Sequence, residues 1–390
     1  VTCTAQSNYL TGKTPSQHGI VGNGWCHREL AEVQFWKQSN HLVQSEKIWD
    51  ELRARTPKFT CAKLFWWFNM YSNADYSITP RPMYPAGGRK IFDIYTQPGK
   101  IRHEIKRDLG EFPFFGFWGP AAGIKTPQGS ADCASQWIAE SAKWIENKYA
   151  PTLNLIYLPH LDYNLQRHGP KRVSGILPES QTCRQDAGST LLNPAIVPDL
   201  QAVDDIVGDL IQFFGQRGVQ VILLSEYGIT NVGAPVHLNR IFRQHGWLAI
   251  RDELGLELLD AGGSKVFAVA DHQVTHIYLN DHLLELKVRD ILEKRVEVDL
   301  TVLGAKEKAA AGIDHPRAGD LIAIAPENAW FTYYYWLDDA RAPDFARTVD
   351  IHRKPGYDPV ELFADPALSP LALKTKIAWR LLQKKLGFRM

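Results

Sequence analysis

Strand-like apolar runs alternate with helix-like amphipathic stretches along this chain, and that alternation limits its fold more than any other feature. Strands are predicted at residues 153–158 and 219–224, and each follows a predicted helix, at residues 134–149 and 203–215 respectively. Strands spaced by helices are typical of a largely parallel sheet with helices on both faces. We therefore predict an α/β protein, a three-layer α/β/α sandwich around a mostly parallel central sheet.

The rest of the chain extends this pattern and adds two irregular segments. Further strands are predicted at residues 61–68, 265–270, 276–279 and 321–325, and further helices at residues 45–55, 283–293 and 371–386. Residues 73–89 are rich in proline, glycine and tyrosine and are predicted as loop. Poor periodicity over about residues 73–126 and 171–193 predicts cap or lid insertions in a single domain, residues 1–390.

The composition argues against several classes of protein. With 390 residues, of which 45% are hydrophobic and 22% charged, the chain is typical of a globular protein. The formal net charge of +1 argues against a nucleic-acid-binding surface, and no run of apolar residues is long enough for a membrane span. Five scattered cysteines without a C-x-x-C pair favour reduced thiols and a cytoplasmic location over a disulfide framework. The number of subunits is left open.

The first 23 residues, VTCTAQSNYLTGKTPSQHGIVGN, contain a pattern suited to anion chemistry. Thr2 precedes a helix-like run over residues 5–10 that ends at Thr11-Gly12. A helix N-terminus offers unpaired N–H groups and a positive dipole end, which favour an alkoxide and a bound phosphate or sulfate. Asn23, on the returning loop, is suited to donate a hydrogen bond to a developing anionic oxygen. Thr2 and Asn23 are the candidate catalytic pair; the common alternative is a helix cap and a turn residue.

This segment resembles the nucleophile segment of type I phosphodiesterases/nucleotide pyrophosphatases, which belong to the alkaline phosphatase superfamily. The family segment runs Thr, then Thr-Gly nine residues later, then Pro, His-Gly-Ile and Asn. The Thr-Gly pair at residues 11–12 and the His-Gly-Ile triplet at residues 18–20 fit that order. The resemblance implies an alkaline-phosphatase-like fold, a nucleophile at Thr2 and a phosphate-binding amide at Asn23. Thr4 is a second hydroxyl, but it breaks both spacings.

A second group of candidate residues follows the strand predicted at residues 153–158. The strand ends in Pro-His160-Leu-Asp162, and His168 comes six residues after Asp162. A carboxylate and an imidazole near a strand end suit a zinc-type site. The resemblance implies that Asp162 and His168 bind the first metal, as the family's Asp and His do. His160 is an alternative to either ligand.

A third group follows the strand predicted at residues 219–224. Here the chain reads Ser-Glu226-Tyr227-Gly, where the family has Ser-Asp-His-Gly and binds its second metal through Asp and His. Glu226 keeps a carboxylate for the metal. Tyr227 has to lose its phenolic proton before it ligates zinc, so a hydrogen bond to the substrate is the alternative role. The departure leaves open whether the second metal site is filled.

The family has one more histidine ligand for the first metal, near its C-terminal end. His352 is the candidate here, in the run DIHRKPGYDP at residues 350–359, which lacks the family's Gly-x-His-Gly. Arg353 and Lys354 beside it are candidate contacts for an anionic substrate. The alternative is a histidine outside this chain.

The resemblance as a whole implies a metal-dependent hydrolase of phosphodiester or pyrophosphate bonds that forms a covalent phospho-threonine. One or two divalent ions are expected, zinc or else manganese or magnesium, with Thr2 and Glu226 among the ligands. The expected substrate is a small phosphoester, pyrophosphate or phosphonate; phosphonate hydrolysis and anion binding without turnover are the alternatives. The family's metal-binding Asp, at the end of a first strand, has no counterpart ahead of Thr2. We therefore expect a longer natural protein, which leaves secretion open as well.

Overall fold

A computed structural model describes residues 1–86, 91–114, 134–171, 192–294 and 296–343, together with isolated positions between residues 346 and 382. The helices in these residues are α1 (Thr2–Thr11), α2 (Pro15–His18), α3 (Ile48–Arg55), α4 (Lys100–Leu109), α5 (Ala134–Tyr149), α6 (Asp162–His168), α7 (Val197–Gly215), α8 (Leu238–Gln244), α9 (Glu285–Lys294) and α10 (Ala305–Ala310). The strands are β1 (Gly24–His27), β2 (Glu32–Phe35), β3 (Cys61–Leu64), β4 (Tyr76–Pro80), β5 (Ile94–Gln97), β6 (Leu153–Ile156), β7 (Ala234–Val236), β8 (Ala249–Glu253), β9 (Leu256–Asp260), β10 (Val266–Asp271), β11 (Val274–Leu279), β12 (Thr301–Leu303), β13 (Leu321–Ile324) and β14 (Ala329–Phe331).

The first sheet has the order β5-β4-β3-β6, with β3 parallel to both of its neighbours and β5 antiparallel at one edge. Successive side chains of a strand point to opposite faces of its sheet. Ala62 and Leu64 of β3 pack in one cluster with α4, α5 and α7. Cys61 packs on the other face, with Leu10 of α1 and Trp49 of α3. The three layers of the predicted α/β/α sandwich are therefore present.

The second sheet is antiparallel, in the order β10-β11-β13-β12. Its apolar side chains form a separate cluster with Phe242 of α8 and with Val288 and Leu292 of α9. The strands predicted at residues 265–270, 276–279 and 321–325 are confirmed, but they build this second sheet instead of extending the parallel one. Cys26 of β1 joins the same cluster. The loop that leads into β1 therefore lies against the end of the second sheet.

Two sequence-based predictions about the first sheet are wrong. Residues 219–224 belong to no strand, and the side chain of Ile222 is 75% exposed. An apolar run becomes a buried strand only beside a strand that pairs with it, and in the described residues β6 pairs with β3 alone. Residues 73–89 are not all loop, because β4 lies within them and pairs with β3. The segment predicted as an insertion from residue 73 thus contains β4, β5 and α4. Beyond residue 114 it lies outside the described residues.

The remaining predictions about helices and thiols agree with the structure where it describes them. α5 has the predicted bounds, while α7 begins six residues before the predicted start because Pro198 is accommodated in its first turn. Cys3, Cys26 and Cys61 are free thiols. Of the helices in the described part of the chain, none has the length and apolar character needed to span a membrane.

Candidate functional site

Thr2 is the first residue of α1 and is 6% exposed. Its hydroxyl lies beside the carboxyl group of Glu226 and the phenol of Tyr227, close enough to lower the pKa of both groups against the larger, opposite effect of burial. The helix ends as predicted at Gly12, whose φ of 62° allows its N–H to bond the carbonyl of Asn8 at 2.8 Å. The side chain of Thr2 therefore faces other parts of the site instead of acting as a helix cap.

Asn23 returns to the N-terminal end of α1. Its Oδ1 accepts a hydrogen bond of 3.0 Å from the backbone N–H of Cys3, the residue after Thr2. Its Nδ2 donates to Asp271 Oδ1 at 3.0 Å, and its backbone N–H donates to Asp271 Oδ2 at 2.7 Å. These three hydrogen bonds are all buried. The structure thus brings Thr2 and Asn23 together, and the Cys3 N–H that faces Asn23 holds the amide in place.

Glu226 approaches Thr2 from the segment after residue 224. Burial raises the pKa of Glu226 to about 7, while hydrogen bonds from Gln6 and Thr2 oppose the shift. The negative charge of Asp162 raises it further. Gln6 lies one helical turn after Thr2; its Nε2 donates to Glu226 Oε1 and its Oε1 accepts from the Trp67 N–H at 2.7 Å. Glu226 is therefore held at the start of α1 by a buried glutamine.

Tyr227 connects Thr2 to Asp162. Its hydroxyl donates a hydrogen bond of 2.7 Å to Asp162 Oδ1. Burial raises the pKa of the Tyr227 phenol far above its usual range, and the neighbouring carboxylate of Asp162 raises it further. A phenol that keeps its proton is a hydrogen-bond donor and not a zinc ligand. In this structure Tyr227 donates to a carboxylate, where the sequence had suggested a metal or a substrate as its partner.

The two histidines predicted near Asp162 lie differently from expectation. Asp162 and His168 are the first and last residues of α6, and six positions along a helix place them about 120° apart around its axis. His168 is exposed, so the structure does not bring its side chain to Asp162. His160 is buried, which lowers its pKa, and the charge of Asp199 acts on it.

Three of the described residues are of the types that hold a divalent cation. Asp162, Glu226 and Thr2 meet in this site, and two carboxylates with a hydroxyl suit a divalent cation that prefers oxygen. Two carboxyl groups that lie close together also repel one another, which a cation relieves. Within the described ranges, however, no three His, Cys, Asp or Glu side chains form a metal-binding group. The candidates His352, Arg353 and Lys354 lie outside the described residues.

Two residues of the site were missed by the sequence analysis. Gln6 is four positions after Thr2, and helical periodicity puts both side chains on one face, so a closer reading of the first helix would have found it. Asp271 follows Asn23 by 248 positions, at the end of β10. Local sequence carries no signal for that contact, because only the packing of β1 against the second sheet creates it.

Comparisons with known proteins agree with this fold. The sequence model of the family described as type I phosphodiesterase/nucleotide pyrophosphatase matches residues 1–358. A search of curated proteins found no match. The solved structure of wild-type alkaline phosphatase PafA is similar with a TM-score of 0.57 and 14% identity, over 86% of this chain and 77% of that protein.

Two further solved structures are similar at lower scores. Phosphonoacetate hydrolase from Sinorhizobium meliloti 1021, in complex with phosphonoacetate, gives a TM-score of 0.50 and 11% identity, over 84% of this chain and 70% of that one. Murine ectonucleotide pyrophosphatase/phosphodiesterase 5 gives a TM-score of 0.49 and 14% identity, over 87% of this chain and 70% of that one.

At these identities the likeness to PafA shows a shared fold and nothing beyond it. The family match covers most of the chain and includes Thr2, Asn23, Asp162 and Glu226. The chain therefore belongs to the type I phosphodiesterase/nucleotide pyrophosphatase family, a family of phosphoester hydrolases.

Proposed function

We propose that this protein hydrolyses phosphodiester or pyrophosphate bonds through a covalent phospho-threonine at Thr2. The observation that carries the proposal is the buried hydroxyl of Thr2 at the N-terminal end of α1, beside Glu226 and Tyr227, with the Asn23 amide bonded to the next backbone N–H. A nucleophile needs a route for its proton, and the adjacent carboxyl group and phenol offer one. A protein that only binds anions has no need of such a hydroxyl.

The reaction would run as two displacements at phosphorus. In the first, Thr2 Oγ1 bonds to phosphorus while the bond to the leaving oxygen breaks, and the leaving group departs with that electron pair. The threonine proton passes to Glu226 or through Tyr227 to Asp162, and the leaving oxygen takes a proton from water. In the second, water bonds to phosphorus and releases a proton to solvent, the Thr2–phosphorus bond breaks, and the Thr2 oxygen regains the proton held by Glu226 or Asp162.

Asn23 would stabilise the charge that develops on the phosphoryl oxygens. Its Nδ2 carries two hydrogens, and the bond to Asp271 uses one of them. The second hydrogen is left to donate to an oxygen of the substrate. A preorganised donor of this kind in a buried site typically contributes about a hundredfold or more to turnover.

Divalent ions belong to the same proposal. One ion would be held by Asp162, Glu226 and Thr2, with His352 as a further ligand from outside the described residues. His168 would be a ligand only in a different conformation of the end of α6. A bound cation would lower the pKa of the Thr2 hydroxyl and neutralise phosphoryl charge. Arg353 and Lys354 remain proposed contacts for the anionic substrate.

The proposal is tested by turnover of bis(p-nitrophenyl) phosphate and p-nitrophenyl phosphate with added Zn²⁺ or Mn²⁺. We expect the diester to be hydrolysed, and we expect Thr2→Ala to lower kcat by about a thousandfold or more while Thr2→Ser keeps part of the activity. Thr4→Ala is the matched control, because Thr4 is the neighbouring hydroxyl that breaks the motif spacing, and it should leave turnover unchanged.

Full activity in Thr2→Ala would refute the nucleophile. Turnover that is insensitive to a chelator would refute the metal dependence. Folded protein that hydrolyses phosphonoacetate but neither ester would replace this substrate class with phosphonates.

A further inference from the structure

We infer that Asp271 is a positioning residue for the phosphate-binding amide of Asn23. The inference rests on the proposed function, since it assumes that Asn23 contacts the phosphoryl group. Asp271 is 3% exposed and makes two hydrogen bonds to one residue, to the backbone N–H and to the side-chain Nδ2 of Asn23.

Asp271 and Cys3 together determine the orientation of the Asn23 amide. The carboxylate of Asp271 only accepts hydrogen bonds, so the NH₂ group has to face it. The backbone N–H of Cys3 only donates, so the carbonyl Oδ1 has to face that side. Rotation of the amide by 180° would create a clash of donors at Cys3 and of acceptors at Asp271. The free hydrogen of Nδ2 is thereby aimed in a single direction.

The loop that carries Asn23 is held by the same part of the molecule. His276 Nε2 donates to the carbonyl of Val21 at 3.0 Å, and Arg317 Nη1 donates to the carbonyl of Gly19 at 2.8 Å. Gly22 leaves room for the carboxylate, because a Cβ built there would lie 3.0 Å from Asp271 Oδ2. The second sheet and the segment before β13 thus fix both the backbone and the side chain that reach the start of α1.

The charge of Asp271 bears on the binding of an anion at the start of α1. Asp271 lies close enough to the start of α1 for its charge to raise the pKa of the Cys3 thiol, after the larger effect of burial. A negative charge so near a phosphate site repels the ligand. If Asp271 positions Asn23, the resulting gain in phosphate binding has to exceed that repulsion. Removal of the carboxylate should then weaken phosphate binding, whereas repulsion alone predicts tighter binding.

The test is the dissociation constant of inorganic phosphate, measured by calorimetry on wild type, Asn23→Ala, Asp271→Asn and the double variant. Asparagine at 271 keeps one acceptor but turns an NH₂ group toward a donor of Asn23. We expect each single substitution to weaken binding about tenfold, and the double variant to bind no more weakly than Asn23→Ala. Glu253→Gln, which removes an exposed carboxylate of the β8–β9 hairpin, is the matched control and should leave binding unchanged.

Tighter or unchanged binding in Asp271→Asn would overturn the inference, because loss of charge alone predicts that result. Additive losses in the double variant would also overturn it, since they mean that Asp271 acts independently of Asn23. If Asp271→Asn is unfolded by circular dichroism, Asp271→Glu replaces it in the cycle with the same expected coupling. Phosphate binding needs no turnover, so the outcome stays readable even if Thr2→Ala proves fully active and the proposed function fails.

Discussion

The buried amine of Lys63 makes the stability of this protein depend on pH. Lys63 lies on β3, fully buried, with its Nζ 2.8 Å from the carbonyl of Phe68 and 5.5 Å from the ring centroid of Trp49. Burial lowers its pKa to about 7, because the ammonium group loses its hydration. The lysine in an unfolded chain titrates near pH 10.4.

The sign and size of the effect follow from these two values. Between about pH 7 and pH 10 the unfolded chain holds a proton that the folded protein has released, so stability rises with pH. The slope is about 1.4 kcal/mol per pH unit for one group. Below pH 7 the folded state carries the buried ammonium, and the destabilisation stays at its full value.

Urea unfolding of wild type and Lys63→Met from about pH 6.5 to about pH 9.5 measures this contribution. Methionine fills a similar volume, and the Phe68 carbonyl keeps its 2.8 Å hydrogen bond from Asn40. We expect Lys63→Met to be the more stable protein at low pH, with its advantage shrinking by about 1.4 kcal/mol per unit above pH 7. Lys58→Met, at an exposed position, controls for the loss of one charge. A difference that stays constant from pH 7 upward would refute the reasoning.

Two further predictions concern the site. Tyr227→Phe removes the hydroxyl that joins Thr2 to Asp162, so we expect kcat for the diester to fall about tenfold with little change in unfolding temperature; unchanged kcat would show that the phenol only packs. Gly22→Ala puts a Cβ 3.0 Å from Asp271 Oδ2, so phosphate binding should weaken several-fold while far-ultraviolet circular dichroism stays the same, and unaltered binding would contradict that close approach.

The local sequence was sufficient to predict the helices that are determined by nearby residues. The first helix ends at Gly12 because glycine adopts the left-handed conformation there, and helix α5 follows its apolar period from Ala134 to Tyr149. The motif spacing also put Thr2 and Asn23 in one site. The two helix features depend on neighbours within about one or two helical turns, whereas the pairing of Thr2 with Asn23 was predicted from the resemblance to the family's nucleophile segment.

Long-range packing decided the course of residues 219–224 and the contact between Asn23 and Asp271. Residues 219–224 carry the apolar character of a buried strand, but a strand also needs a partner, and pairing is not written in the segment itself. The contact between Asn23 and Asp271 arises from the second sheet meeting the loop before β1. The outward position of His168 has a local cause instead, because Asp162 and His168 are the two ends of helix α6 and lie on different sides of it.

The stereochemical course of hydrolysis tests the covalent phospho-threonine most directly. A diester made chiral at phosphorus with sulfur and oxygen isotopes would be hydrolysed by the wild-type protein, and the configuration of the product determined by ³¹P nuclear magnetic resonance. Each in-line displacement inverts phosphorus once, so attack by Thr2 followed by attack by water predicts net retention. Net inversion would mean that water attacks the substrate directly, and it would contradict a covalent intermediate at Thr2.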